Sequence, residues 1–207
     1  MKALKQVVID TFATLLSPKA YFSTLPKEGG LWYPILKIII YGFFAMFIFS
    51  LVYINMLDTA KYTVIKNYVW LIPIIISVLS PFISFFILIL ETMIFLIIAR
   101  LCGAKTDFIT GSKIAASLAV TMPLSSILGY FNLISPAMGI VISILVGTLT
   151  IWIAYNAIVY KFGTNKKRTA TLLIIFLVIL LTLNLIGIGV AKQAQTNQLL
   201  QQPTFND

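Results

Sequence analysis

Residues 71–100, "LIPIIISVLSPFISFFILILETMIFLIIAR", decide how often this chain crosses a bilayer. As a helix, the thirty residues of this block would measure about 45 Å, against a hydrocarbon core of about 30 Å. That is long for one upright span and too short for two. Pro73 and Pro81 fall in its first half, and each removes a backbone donor and crowds the preceding turn. The block therefore reads as a kinked or interfacial segment, 69–80, leading into one span, 81–101. Glu91 is its only acid. A carboxylate at mid-depth costs on the order of 3 kcal/mol, so it is either part of an ion pathway or a polar peg between helices.

The rest of the chain agrees with a membrane setting. It has 207 residues, 60% of them hydrophobic and only 10% charged, with a mean hydropathy of +1.02; soluble domains carry roughly 25% charged residues. Thirteen Lys and two Arg against six acids give a net charge of +9. In a membrane chain that excess marks topology before it marks nucleic acid, and no nucleic-acid partner is expected. The single Cys102 excludes an intrachain disulfide and offers no metal-ligand spacing. With no His, imidazole metal sites and His-based proton transfer are both ruled out. No phosphate-binding loop, zinc-protease or nucleophile-elbow motif occurs. Asp10, Asp58, Asp107 and Asp207 all fall outside the apolar runs. The expectation is a non-enzymatic protein with no cofactor and no metal.

The fold expected is all-α: a polytopic membrane protein with five transmembrane helices behind a short amphipathic helix. Residues 1–30 form the leader and linker. Leu4, Val7, Val8, Phe12, Leu15 and Leu16 share one face of its helix, suited to the membrane surface or to capping the bundle. The first 22 residues lack the uninterrupted apolar core of a signal peptide, so the first span serves as the insertion signal. The membrane domain, 31–190, has spans at 33–57, 81–101, 111–131, 136–160 and 170–190, with Pro123 bending the third. Trp32 and Tyr33 mark one interface, and Lys37, one turn inside, is expected to snorkel outwards. Residues 191–207 form a polar, Gln-rich tail.

Charge fixes the orientation. Five spans place twelve of the fifteen cations on the leader's side and three on the other; two spans within 71–100 would split them six to nine. The positive-inside rule then puts the N-terminus in the cytoplasm and the C-terminus outside a cell membrane. Lys166, Lys167 and Arg168 in the last loop suit anionic lipid headgroups.

Helices in lipid associate through small residues and interhelical polar contacts. Gly139, Ser143 and Gly147 recur every four residues, which makes the fourth span the expected packing centre, or else the wall of a small pore. Glu91 is expected in a polar cluster with Ser84, Thr121, Asn156 and Asn184. Ser77, Ser80, Ser84 and Glu91 draw a thin polar stripe along one helix face. No second acid lies within a span, which favours the peg over the relay.

The layout resembles the Yip family of five-span membrane proteins, in its short prokaryotic form. The resemblance is carried by Ser17, Pro18, Tyr21 and Phe22 in the leader, by Cys102, Gly103 and Phe108 after the second span, and by Ala119 and Pro123 in the third. It covers roughly residues 12–190. It implies a five-helix domain with a cytoplasmic N-terminus, placed here in a prokaryotic inner membrane. Eukaryotic members act in vesicle trafficking, and some engage Rab GTPases through a longer cytoplasmic region. Here the leader is short and the eukaryotic DLYGP motif has no clear counterpart, so Rab binding is not implied. The function expected is the organising or binding of partners, whether lipids, other membrane proteins or further copies of this chain. The alternative is a small transporter, channel or lipid-moving protein built on Glu91.

Overall fold

The computed structural model describes residues 2–26, 29–56, 71–131, 135–179 and 182. All regular structure among them is helical. Helix α1 spans Lys2–Leu16, α2 Pro18–Thr24, α3 Trp32–Met56, α4 Leu71–Leu101, α5 Phe108–Leu118, α6 Thr121–Gly129 and α7 Pro136–Asn156. The last of these runs into a π-helical turn, Ala157–Lys161, and residues 166–179 form α8. Among the described residues, three stretches are long and apolar enough to cross a membrane: Trp32–Leu51, Pro73–Leu101 and Ala137–Lys161.

The block that opened the sequence reading is one helix from Leu71 onward. Residues 71–80 form the first turns of α4, which continues as helix through Pro81 for 31 residues. Proline is tolerated inside a membrane helix when neighbouring helices hold its flanks. Here Ser80 and Ser84, which flank it, are both buried. Ser84 lies against Gly42 of α3, where a Cβ would overlap the Ser84 hydroxyl and stand 2.9 Å from its Cβ. Gly103 ends α4. It adopts φ +89°, donates to the Arg100 carbonyl at 2.8 Å, and lets Ala104 reach back to the Ala99 carbonyl at 3.0 Å. These paired bonds satisfy the orphan carbonyls of the last turn.

The expected third span, 111–131, divides into α5 and α6 at Ala119–Val120. The break precedes Pro123 by four residues, because a proline ring crowds the carbonyl four positions upstream and cannot donate to it. Asp107 caps α5, accepting from the Thr110 amide at 2.8 Å. The fifth expected span is helical over residues 166–179; its continuation to 190 and the polar tail lie outside the described residues.

Among the described residues α3 is the central helix, packed against α4, α5 and α6. The fourth span, expected to hold that place, leaves Val141 57% and Leu145 62% exposed. A stripe of small residues permits close approach without stating which neighbour approaches. The apolar core lies near the leader end, where Val7, Phe22, Ile38, Phe95, Ile114, Ile158 and Leu173 bring together six helices and the π-turn. The leader packs into this core rather than lying apart from it. Helix α1 buries Val7, Asp10 and Thr14, and turns Leu4, Val8, Phe12 and Leu16 outwards. The face expected to be uniformly apolar thus splits, with Val7 inward, Leu15 packed against the core, and Leu4, Val8, Phe12 and Leu16 turned outwards.

Candidate functional site

Lys37 lies in the second turn of α3 and does not snorkel. It is only 1% exposed, because α1 and α2 fold across it. Burying an ammonium is costly unless it is paired and fully hydrogen-bonded, and here it is both. Its Nζ stands 3.3 Å from Asp10 Oδ2, 3.0 Å from the Tyr21 hydroxyl and 3.0 Å from Ser117 Oγ. The three ammonium protons have three acceptors.

The anionic side is equally matched. Asp10 Oδ2 accepts from the Tyr21 hydroxyl at 3.0 Å and the Tyr33 hydroxyl at 2.9 Å. Its Oδ1 accepts from Gln6 Nε2 at 2.8 Å. A proton count settles the remaining directions. Ser117 donates to the Lys113 carbonyl at 2.8 Å, leaving its lone pairs for Lys37. Thr11 donates to the Val7 carbonyl at 2.7 Å, so Tyr41 is the donor in the 2.6 Å Thr11–Tyr41 contact. Burial alone would raise the Asp10 carboxyl. The Lys37 charge and the bonds from Gln6, Tyr33 and Tyr21 outweigh burial and hold it below the usual carboxylate range. Burial pushes the Tyr21 phenol well above its ordinary range, against the Ser117 hydrogen bond and assisted by the Asp10 charge. Tyr21 therefore stays protonated and remains a donor.

Two further tethers fix the linker. Lys113 of α5 donates to the Pro26 carbonyl at 2.9 Å, and Lys161 of the π-turn donates to the Leu25 carbonyl. Between the leader, the first turns of α3 and the middle of α5 lies a cavity of about 730 Å³, with Asp10 and Lys37 among its lining residues and Gly29, Gly30 and Lys113 beside them. None of this was legible as a site. Asp10 stood outside the spans, and Lys37 read as an interfacial cation. The available signal was a pair of opposite charges, Asp10 on the polar side of the leader helix and Lys37 within the apolar run of α3.

The residues singled out from the sequence are distributed otherwise. Ser84 and Thr121 both line a second cavity of about 540 Å³, as do Ser143 and Gly147. Glu91 is not among the residues lining it, and its Oε2 is buried without a hydrogen-bond partner. Asn156 spends its amide on its own helix, donating to the Trp152 carbonyl at 2.7 Å. Thr121 donates to the Leu118 carbonyl at 2.9 Å. In the polar stripe Ser80 is buried with Ser84, while the side chain of Ser77, like all of Asn184, lies outside the described residues. Gly139 is buried and Ser143 exposed; a Cβ at Gly147 would stand 3.9 Å from Leu177 of α8. Lys166, Lys167 and Arg168 are exposed on the first turn of α8. Asn165 caps that turn, accepting from the amides of Lys167 and Arg168 at 3.0 and 3.2 Å. Beside it, Lys19 and Lys166 flank the Tyr160 ring.

Long apolar helices joined around a satisfied internal ion pair define a multi-pass α-helical membrane protein. Residues 12–188 match the Yip1 domain, and the protein belongs to that family. Comparison with curated proteins and with solved structures returns no match.

Proposed function

We propose that the protein is a non-enzymatic organiser of membrane partners, lipid or protein, built on five spans in a prokaryotic cell membrane with its N-terminus in the cytoplasm. The observation that carries this reading is the saturated Asp10–Lys37 network. Its protons and acceptors are already matched, so it fixes the leader against the bundle rather than awaiting a reactant. A leader held in one place presents a constant surface, which a docking platform requires. The exposed cations Lys19, Lys105, Lys166, Lys167 and Arg168 gather around Tyr160 and Gly103, in keeping with a cytoplasmic face against anionic headgroups.

One observation favours the other reading, transport through the bundle. Glu91 keeps a buried carboxyl oxygen without a partner, and ionisable groups inside spans commonly mark ion pathways. Liposome flux separates the two. On the organiser reading, purified protein moves neither protons nor potassium across the liposome wall, and Glu91→Gln changes nothing. A flux present in the native protein and abolished by Glu91→Gln at equal reconstitution would overturn that reading.

A further inference from the structure

We propose that the cavity between α3, α4, α6 and α7 is a binding site for the free hydroxyl of one uncharged lipid alcohol, of the diacylglycerol class. This rests on the organiser reading and names a lipid partner for it. Six hydroxyl side chains line that cavity: Ser84 of α4, Thr121, Ser125 and Ser126 of α6, and Ser143 and Thr150 of α7. None of the described lining residues is charged. Three of the hydroxyls donate within their own helices. Thr121 donates to the Leu118 carbonyl at 2.9 Å, Ser126 to the Met122 carbonyl at 3.1 Å and Thr150 to the Val146 carbonyl at 2.9 Å. Their protons are spent, but each oxygen keeps a lone pair for an incoming donor. Ser84 is 1% exposed and lies at the floor, over Gly42, while Ser125 and Ser143 are open. Among the described residues these three serines have no hydrogen-bond partner. Such a wall offers acceptors and a few free hydroxyl protons, so it suits a group that both donates and accepts.

Depth and charge select the ligand. At about 1.5 Å per residue, Gly42 lies about 15 Å along α3 and Gly147 about 16 Å along α7 from the first residue of each. Helix α3 starts at the leader end, and α7 runs back to it, where Lys161 meets Leu25. The two counts therefore start from opposite faces and meet near the middle of a core about 30 Å thick. A phosphate at that depth would lose its water with no cation among the described lining residues to replace it. Hydroxyls in hydrocarbon still need partners, and an uncharged alcohol is a lipid group able to reach them. Beside the open serines, Ile127 is 50% and Ile144 40% exposed, so a lipid can enter from the side. Met46 and Met122 supply adaptable apolar surface for its first methylenes. A volume of about 540 Å³ falls within the usual range for a small-ligand site, which suits the head of a lipid whose chains stay in the bilayer.

Retention of tritiated dioleoylglycerol by delipidated protein in detergent tests the assignment, with unlabelled lipids as competitors. The 3-deoxy analogue, which lacks only the free hydroxyl, is expected to compete about fivefold less well than dioleoylglycerol itself. Dioleoyl phosphatidylglycerol should compete at least about tenfold less well. Ser125→Ala combined with Ser143→Ala removes the two open hydroxyls and should bring dioleoylglycerol and its deoxy analogue to within about twofold, with the unfolding midpoint unchanged. Ser143→Phe should fill the site and cut retention by about tenfold. If that variant folds poorly, Ser125→Phe closes the cavity from α6 with the same expectation. Equal competition by the deoxy analogue or by phosphatidylglycerol, or undiminished retention by the filled variants, overturns the site. Displacement by millimolar glycerol assigns the cavity to a soluble polyol and overturns the lipid. A dimer in light scattering that dioleoylglycerol does not dissociate, and that Ser143→Phe renders monomeric, assigns the cavity to a second copy of the chain and also overturns it. Failure here with no liposome flux refutes only the lipid site, whereas flux lost in Glu91→Gln refutes the organiser reading whatever the lipid result.

Discussion

Asp10→Asn keeps the shape of the side chain and removes its charge, leaving Lys37 buried without a counter-ion. The two side chains are 10% and 2% exposed, and removing one partner of a buried pair costs about 3–5 kcal/mol. Lys37 would keep two neutral acceptors, Tyr21 and Ser117, each at 3.0 Å, and asparagine still offers a carbonyl. The lower end, about 3 kcal/mol, is therefore expected. At about 2–4 °C per kcal/mol for a chain of this size, the unfolding midpoint in detergent falls by about 6–12 °C. Cys102 is the chain's single cysteine and is 3% exposed in the leader-end core. A thiol-reactive fluorophore therefore reports core opening from one known position. Asp10→Leu combined with Lys37→Met removes both charges together, and apolar replacement of a buried pair is often neutral or stabilising. The double variant should recover most of the loss. A midpoint for Asp10→Asn within about 1 °C of native, or a double variant that unfolds below the single one, refutes the account of the pair as a lock.

Gly42→Val forces α3 away from Ser84 of α4, whose Cβ would stand 2.9 Å from the new one. A loss of about 1–3 kcal/mol is expected in the same thiol assay, partly relieved by Ser84→Ala. The Asp10 and Asp107 carboxyls both titrate below their ordinary value. Their stabilisation is present above about pH 4 and is lost as the pH falls through the lower folded values. Thermal melts followed by circular dichroism should show these two groups contributing no change between about pH 5 and 8 and a decline below about pH 4. Asp10→Asn should remove the Asp10 share of that decline. A decline of undiminished size in that variant would show that Asp10 is not its source.

Much of the architecture was legible because lipid leaves few options. Long apolar runs must become helices whose backbone groups are satisfied internally, and Trp32–Leu51 and Ala137–Lys161 fall within two residues of spans drawn from hydropathy alone at their leader-side ends. Where expectation and structure part, a local rule met a tertiary contact. Pro81 marked a boundary by its covalent geometry, yet the packing of Ser80 and Ser84 carries the helix past it. Pro123 did break its helix, four residues upstream, where its ring excludes the next helical turn. The Gly139, Ser143 and Gly147 stripe allowed close packing, but α3 took the centre.

The sequence by itself determined the class of protein, the family resemblance and the crowding of positive charge towards the leader's end. Those follow from composition and order, which local hydropathy and covalent geometry read directly. Only the tertiary structure decided that Lys37 turns inward to Asp10, that Tyr21 and Ser117 complete its coordination, and that a cavity opens beside them. The physical reason is distance along the chain. Asp10, Lys37 and Ser117 belong to three helices, the last two 80 positions apart. A helix shows which of its faces is apolar, but not which charge waits on the helix that will cover it.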